Sequence, residues 1–234
     1  MPGTTDIGNH CDDCATSVNL PFTFQLYDLS ASTASISSNG IILFSNSNAP
    51  IGGCLPASSI DYAIAAQWTD LRTDGTSGAG TNGIFTSVSG SAPHRIFNIE
   101  WRTRYYNSGS GTANFEVRLY EGQRRFDIIY GTISQNNQAG IGVQGNFGST
   151  FTQYSCDSEP ESFGLQLTFR EASPPRSNGK IAFSNVLDIF VMNTDGSGRT
   201  QLTNNAAGNN FPDWALDGTK IVFSRHSPGA LQSG

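Results

Sequence analysis

Arg95-Ile96-Phe97-Asn98-Ile99-Glu100-Trp101-Arg102-Thr103 sets Phe97, Ile99 and Trp101 on one phase of a two-residue period and Asn98, Glu100 and Arg102 on the other. Such alternation predicts a strand with one face in a core and one in water. Phe115-Glu116-Val117-Arg118-Leu119-Tyr120 repeats the pattern after a Gly- and Ser-rich stretch at Asn107–Gly111, so the two segments read as a hairpin. Opposite charges facing each other across a sheet help and like charges hurt, by a few tenths of a kcal/mol. The register expected on that ground sets Trp101 against Val117, Ile99 against Leu119 and Glu100 against Arg118. Shifted by two, the hairpin would put Glu100 against Glu116.

Working outward, Thr33–Ser38 and Ile41–Phe44 flank Asn39-Gly40, a pair that suits a type I′ turn. Further strands are expected at Asp61–Trp68, Gly83–Val88, Arg125–Tyr130, Ala139–Gln144, Phe151–Ser155 and Leu165–Phe169. Around ten short antiparallel strands with almost no helix specify an all-β fold, an antiparallel β-sandwich of jelly-roll-like character.

The composition agrees. Charged residues make up 14% of the chain, Gly accounts for 26 of 234 positions, and the formal net charge is −6. Without a basic cluster beyond Arg124-Arg125, counterion release gives nucleic acid little to bind. No run of about 18 apolar residues suggests a membrane span. Two lysines against eleven arginines, with four cysteines, suit an extracellular or cell-surface setting. Met1–Thr5 lacks the charged and apolar segments of a leader, from which we expect the chain to be an excerpt.

Cys11, Cys14, Cys54 and Cys156 form an even set with three pairings open. Two disulfides are the expected outcome. A four-thiolate zinc site would need a second close pair. A Cys-x-x-Cys redox centre usually precedes a helix, whereas Val18–Phe24 reads as a strand.

Cys11-x-x-Cys14, Leu20-Pro21-Phe22-Thr23-Phe24, Ser38-Asn39-Gly40, Cys54-Leu55-Pro56, Trp68-Thr69-Asp70-Leu71-Arg72 and Phe115–Gly122 together resemble the nidogen-type extracellular domain, over about residues 6–170. That resemblance implies a bacterial secreted or surface module without catalytic activity of its own.

Beyond a Pro-rich linker at 171–178, the string Gly179-Lys180-Ile181-Ala182-Phe183-Ser184 returns forty positions later as Thr219-Lys220-Ile221-Val222-Phe223-Ser224. A period of about 40 residues is that of a propeller blade. With Val191-Met192-Asn193-Thr194-Asp195-Gly196-Ser197 and Pro212-Asp213-Trp214 between, 179–234 resembles a single, truncated TolB-type β-propeller repeat after a sandwich at 1–170. An incomplete blade cannot bury its apolar face alone. Ile181, Phe183, Ile189, Val191, Ile221 and Phe223 are therefore candidates for strand addition to a neighbouring chain.

Little in the chain suggests chemistry. His10, His94 and His226 have no serine nucleophile motif beside them, so no catalytic residues are assigned. Glu100 and Glu116 could form a carboxylate pair, but their alternation with Arg102 and Arg118 reads as a solvated salt-bridge ladder. Asp70 and Asp74 share a loop, with Asp12 and Asp13 elsewhere, and serve either as structural calcium ligands or as plain turn carboxylates. No other cofactor is expected. Tyr105 and Tyr106 are candidate platforms for a glycan. The expected function is a structural or adhesive module that associates with itself, in fibres, or with other extracellular proteins; the alternative is a carbohydrate-binding accessory to a secreted hydrolase.

Overall fold

The computed structural model of the protein describes residues 3–45, 50–77, 80–107, 111–134, 139–157, 164–170, 180–204, 208–214 and 219–226. The 171–178 linker and most of the Asn107–Gly111 turn lie outside them. The chain divides into two units, Met1–Glu171 and Ala172–Gly234.

In chain order the first unit carries β1 (Thr5–Asp6), β2 (Ala15–Leu26), β3 (Leu29–Ser37), β4 (Ile41–Leu43), β5 (Ala63–Trp68), β6 (Leu71–Arg72), β7 (Thr76–Ser77) and β8 (Gly80–Thr81). There follow β9 (Gly83–Ser89), β10 (Ile96–Tyr105), β11 (Thr112–Tyr120), β12 (Arg125–Ile133), β13 (Gly140–Gly145), β14 (Thr150–Cys156) and β15 (Gln166–Arg170). The described residues hold no α-helix, only a 3-10 turn at Asn146–Gly148.

One sheet runs β1-β9-β10-β11-β12-β15, with β6 added to β10, and the other runs β14-β13-β5-β4-β3-β2. Each is built around a run of consecutive antiparallel strands, as short turns between alternating segments dictate. Their inner faces share one core, in which Ile36, Ile42 and Ile64 of one sheet meet Ile99, Trp101, Phe115, Val117 and Ile128 of the other. Hydrogen bonds also cross the layers: Trp101 Nε1 donates to Ser37 O at 2.9 Å, and the Tyr130 hydroxyl donates to Ala66 O. The expected sandwich is therefore present.

The β10–β11 register corrects the sequence-based expectation. Ile99 pairs with Val117, Trp101 with Phe115, and Glu100 with Glu116. Charge is balanced along each strand instead of across the pair: Arg102 Nη2 lies 2.9 Å from Glu100 Oε2, and Arg118 Nε lies 2.5 Å from Glu116 Oε1. Freed from that constraint, the hairpin takes the register that stacks Trp101 on Phe115, with ring centroids 5.0 Å apart. An aromatic pair of this kind contributes about 0.5–1.5 kcal/mol beyond its burial, more than a cross-strand charge pair does. The outer face also departs from a solvated ladder, for Asn98, Glu100 and Glu116 are buried.

The β3–β4 turn is a second correction. Ile36 pairs with Ile42, which leaves the three residues Ser38, Asn39 and Gly40 in the turn. Gly40 takes φ +71° while Asn39 stays at negative φ, so the connection is a three-residue loop and not a type I′ turn.

Strand β5 is buried on both faces. Its outward side, with Ile41, Leu43 and Trp68, supports a second cluster containing Leu55 and Ile60. Those two residues belong to the segment that the Cys54–Cys156 disulfide ties to the end of β14. By loop-closure entropy a crosslink over a separation of 102 residues contributes about 5 kcal/mol.

The second unit consists of β16 (Lys180–Asn185), β17 (Asp188–Asn193), β18 (Thr200–Gln201), β19 (Gly208–Trp214) and β20 (Ile221–His226). The first three form one sheet in that order and the last two a hairpin, with β19 packed against β16 and β17.

Candidate functional site

Three motifs far apart in the chain meet at one point: the Cys11-x-x-Cys14 loop, the Ser38-Asn39-Gly40 turn and the segment following Trp68. Asn39, fully buried, joins them. Its Nδ2 donates to Asp13 Oδ1 at 2.9 Å, its Oδ1 accepts from Leu71 N–H at 2.9 Å, and its carbonyl accepts from Thr69 N–H at 3.3 Å. Gly40 is required here for space as well as φ, because a Cβ would come within 2.2 Å of Gln67 O. The Cys11–Cys14 disulfide closes the loop, and Cys14 N–H donates to Ser38 Oγ at 3.2 Å. Thr73 completes the junction, donating to Asn9 Oδ1 at 2.7 Å and accepting from Cys11 N–H at 3.0 Å.

On this frame Asp12, Asp13 and Asp70 bring their carboxylates within 4.8 Å of one another. Asp12 Oδ1 and Asp70 Oδ1 are buried and accept no hydrogen bond from the described residues. Burial first, then the charges of Asp13 and Asp12, push the Asp70 carboxyl above the ordinary carboxylate range. Asp74, expected beside Asp70 as a calcium ligand, is instead paired with Arg72 and Arg104, at 2.5 and 3.4 Å. The Arg72 hydrogen bonds hold the Asp74 carboxyl below its usual range. The three carboxylates form a cluster at the surface of the junction, and we assign no metal to it.

The tyrosine pair is also corrected. Tyr105 is 7% exposed and belongs to the core, since the inward phase of Ile99, Trp101 and Thr103 runs on to it. Tyr106 is 50% exposed, its N–H donating to Asp70 O at 3.1 Å and the Arg72 guanidinium 5.9 Å from its ring centroid. One tyrosine, partly covered by an arginine, is left where a two-ring platform was expected. The strand-addition residues separate similarly. Ile181 and Phe183 lie on β16 and Ile221 and Phe223 on β20, at sheet edges, whereas Ile189 and Val191 are buried on the central strand β17.

Sequence reasoning missed the meeting of Asp12 and Asp13 with Asp70, which no local pattern encodes. It also missed a network on the outer face around Asp127. That fully buried carboxylate accepts from Arg125 at 2.8 Å, from the Tyr120 hydroxyl at 2.6 Å and from Gln166 Nε2 at 2.9 Å. Burial raises its carboxyl, but the Arg125 and Tyr120 bonds outweigh burial and leave it below the ordinary range.

A sequence model of a family described as NIDO related matches residues 1–185. No curated protein and no solved structure matches the chain. No helix among the described residues is long and apolar enough to cross a membrane.

Proposed function

Because the chain belongs to the NIDO-related family, we propose that it is a non-catalytic structural or adhesive module of a bacterial secreted or cell-surface protein, whose Ala172–Gly234 unit drives self-association. Two disulfides suit an oxidising location.

The observation that carries self-association is how little the second unit buries. Among its described residues Ile189 and Val191 are the only buried hydrophobics, whereas Val222 is 67% and Phe211 83% exposed. Between β17 and the β19–β20 hairpin lies an open, largely apolar cavity of about 370 Å³, lined among others by Val191, Trp214, Ile221 and Phe223. Apolar surface of this kind on a small unit marks a protein contact. We read the unit as a TolB-type propeller repeat, supported by the recurrence of Lys-Ile-x-Phe-Ser on β16 and β20. Edge strands β16 and β20 would pair with the sheet of another copy, and such head-to-tail contacts build fibres when they do not close. The glycan-binding alternative retains only Tyr106.

Sedimentation velocity over a range of concentrations tests this. The wild-type chain should form larger species as concentration rises, and Phe211→Glu with Val222→Glu should abolish them. A chain that stays monomeric throughout, or variants that assemble as before, would refute self-association through this unit.

A further inference from the structure

The segment from Gly3 to Ile7 is held against β9 and β10 by main-chain contacts, and one imidazole closes over its end. Strand β1 is the outermost of its sheet, with Thr5 and Asp6 opposite Thr86 and Phe85 of β9. Around it, Thr4 N–H donates to Thr86 O at 3.0 Å and Ile7 N–H to Ile84 O at 3.1 Å. At the start, Gly3 N–H donates to Glu100 Oε2 at 2.7 Å and Gly3 O accepts from Arg102 Nη2 at 3.0 Å. At the other end the arm turns through Gly8, at φ +79°, and His10 folds back over it. His10 Nε2 lies 2.8 Å from Asp6 Oδ2, and its Nδ1 lies 2.8 Å from Asn82 O.

Both neighbours of the ring are acceptors. A carbonyl has no proton to give, and the Asp6 carboxyl sits below its ordinary range: burial raises it, but the Gly8 N–H and His10 outweigh that. Only an imidazolium can donate from both nitrogens; a neutral ring has one N–H and must turn a lone pair toward the carboxylate or the carbonyl. We propose that the N-terminal arm is a proton-locked strap, fastened over the β9 edge by imidazolium His10 and released, baring the β9 main chain, when the ring becomes neutral.

The groups acting on the ring are few. On its own arm there is Asp6. From the elements packed against it come the Asn82 carbonyl before β9 and the Thr73 backbone after β6. On β10, Arg102 acts on Asp6 and is itself paired with Glu100. The Asp6 hydrogen bond is the largest influence and raises His10 above its ordinary value. The folded, strapped state is therefore favoured between the lowered Asp6 value and the raised His10 value, where both groups are charged, and the advantage is lost as pH rises through the latter. What release uncovers is the main chain of Ile84–Thr86 on the outer edge of β9, unpaired N–H and C=O groups of the kind that strand pairing uses. This inference is independent of self-association through the second unit.

Hydrogen exchange by NMR on the full chain tests it, with amide protection corrected for the intrinsic pH dependence of exchange. From about pH 5 to about pH 9, protection at Thr4 and Ile7 should fall as His10 titrates, while Ile99 and Val117 stay unchanged. The loss should be about tenfold for each unit by which the His10 value, read from its own ring protons, exceeds 6.5. His10→Gln and Asp6→Asn should remove the step; the His10 side chain is 37% exposed, so these changes spare the core. Agreement between the two wild-type numbers supports the strap even without the variants. Protection at Thr4 and Ile7 that ignores pH, an equal step in His10→Gln, or a His10 value at or below 6.5 would overturn it.

Discussion

Asn39 shows how much one side chain can hold. Buried, with its amide spent on Asp13 and Leu71, it fastens two loops to a turn, and removing it strands their polar groups. Asn39→Ala should lower unfolding stability by about 2–3 kcal/mol in urea denaturation, whereas a loss under about 0.5 kcal/mol, typical of a surface change, would show that the junction is incidental. Asp70 has the opposite sign. Its carboxyl is raised above the unfolded reference of 3.8, so the folded state binds the proton more tightly and its charge costs stability above the folded value. Asp70→Asn should therefore stabilise the protein at neutral pH in chelator, and the gain should fade as pH drops toward 3.8. Thermal melts across that range read the effect; a variant less stable than wild type at neutral pH would mean that the charge is not a burden. Asp70 was visible in the sequence as a loop carboxylate, but its partners were not, because roughly 60 residues of chain separate them and no periodicity spans such a gap. Tyr105 was legible: the phase that places Trp101 inward also places Tyr105 inward, once the strand is allowed to run two residues further.

At the scale of elements, alternation located the strands of the first unit well, since burial of one face dictates it. Register was harder. A rule based on charges facing across the sheet fails at β10–β11 because arginines two residues along the same strand reach their glutamates first, leaving core packing to decide. Glu100 distinguishes the two accounts. If repulsion from Glu116 across the hairpin dominated, Glu100→Gln would stabilise. Here the carboxylate accepts from Arg102, from Asn114 Nδ2 at 2.9 Å and from Gly3 N–H at 2.7 Å. Burial pushes its carboxyl up, yet those bonds prevail and hold it below the ordinary range. We expect Glu100→Gln to destabilise by about 1–2 kcal/mol in chemical denaturation, and a stabilised variant would contradict the expectation. The β3–β4 turn gives a similar lesson. Asn-Gly marks the turn correctly, but the buried role of Asn39 keeps it at negative φ and lengthens the loop by one residue.

For the molecule as a whole, the contrast between the two units matters most. The first closes two sheets over a continuous core, covers the outer face of β5 with a disulfide-tethered segment, and pairs the buried carboxylates Glu100, Glu116 and Asp127 with arginines on the same sheet. Among its described residues the second, which carries the recurring Lys-Ile-x-Phe-Ser string, buries a narrow strip at Ile189 and Val191 and has an open apolar cavity beside it. Hydrogen exchange followed by mass spectrometry at low and high protein concentration tests the resulting division of labour most directly. Protection across Gly208–Trp214 and Ile221–His226 should rise with concentration while β10 and β11 remain unchanged. Exchange in those two segments that is indifferent to concentration, or protection that rises in the sandwich instead, would contradict the account.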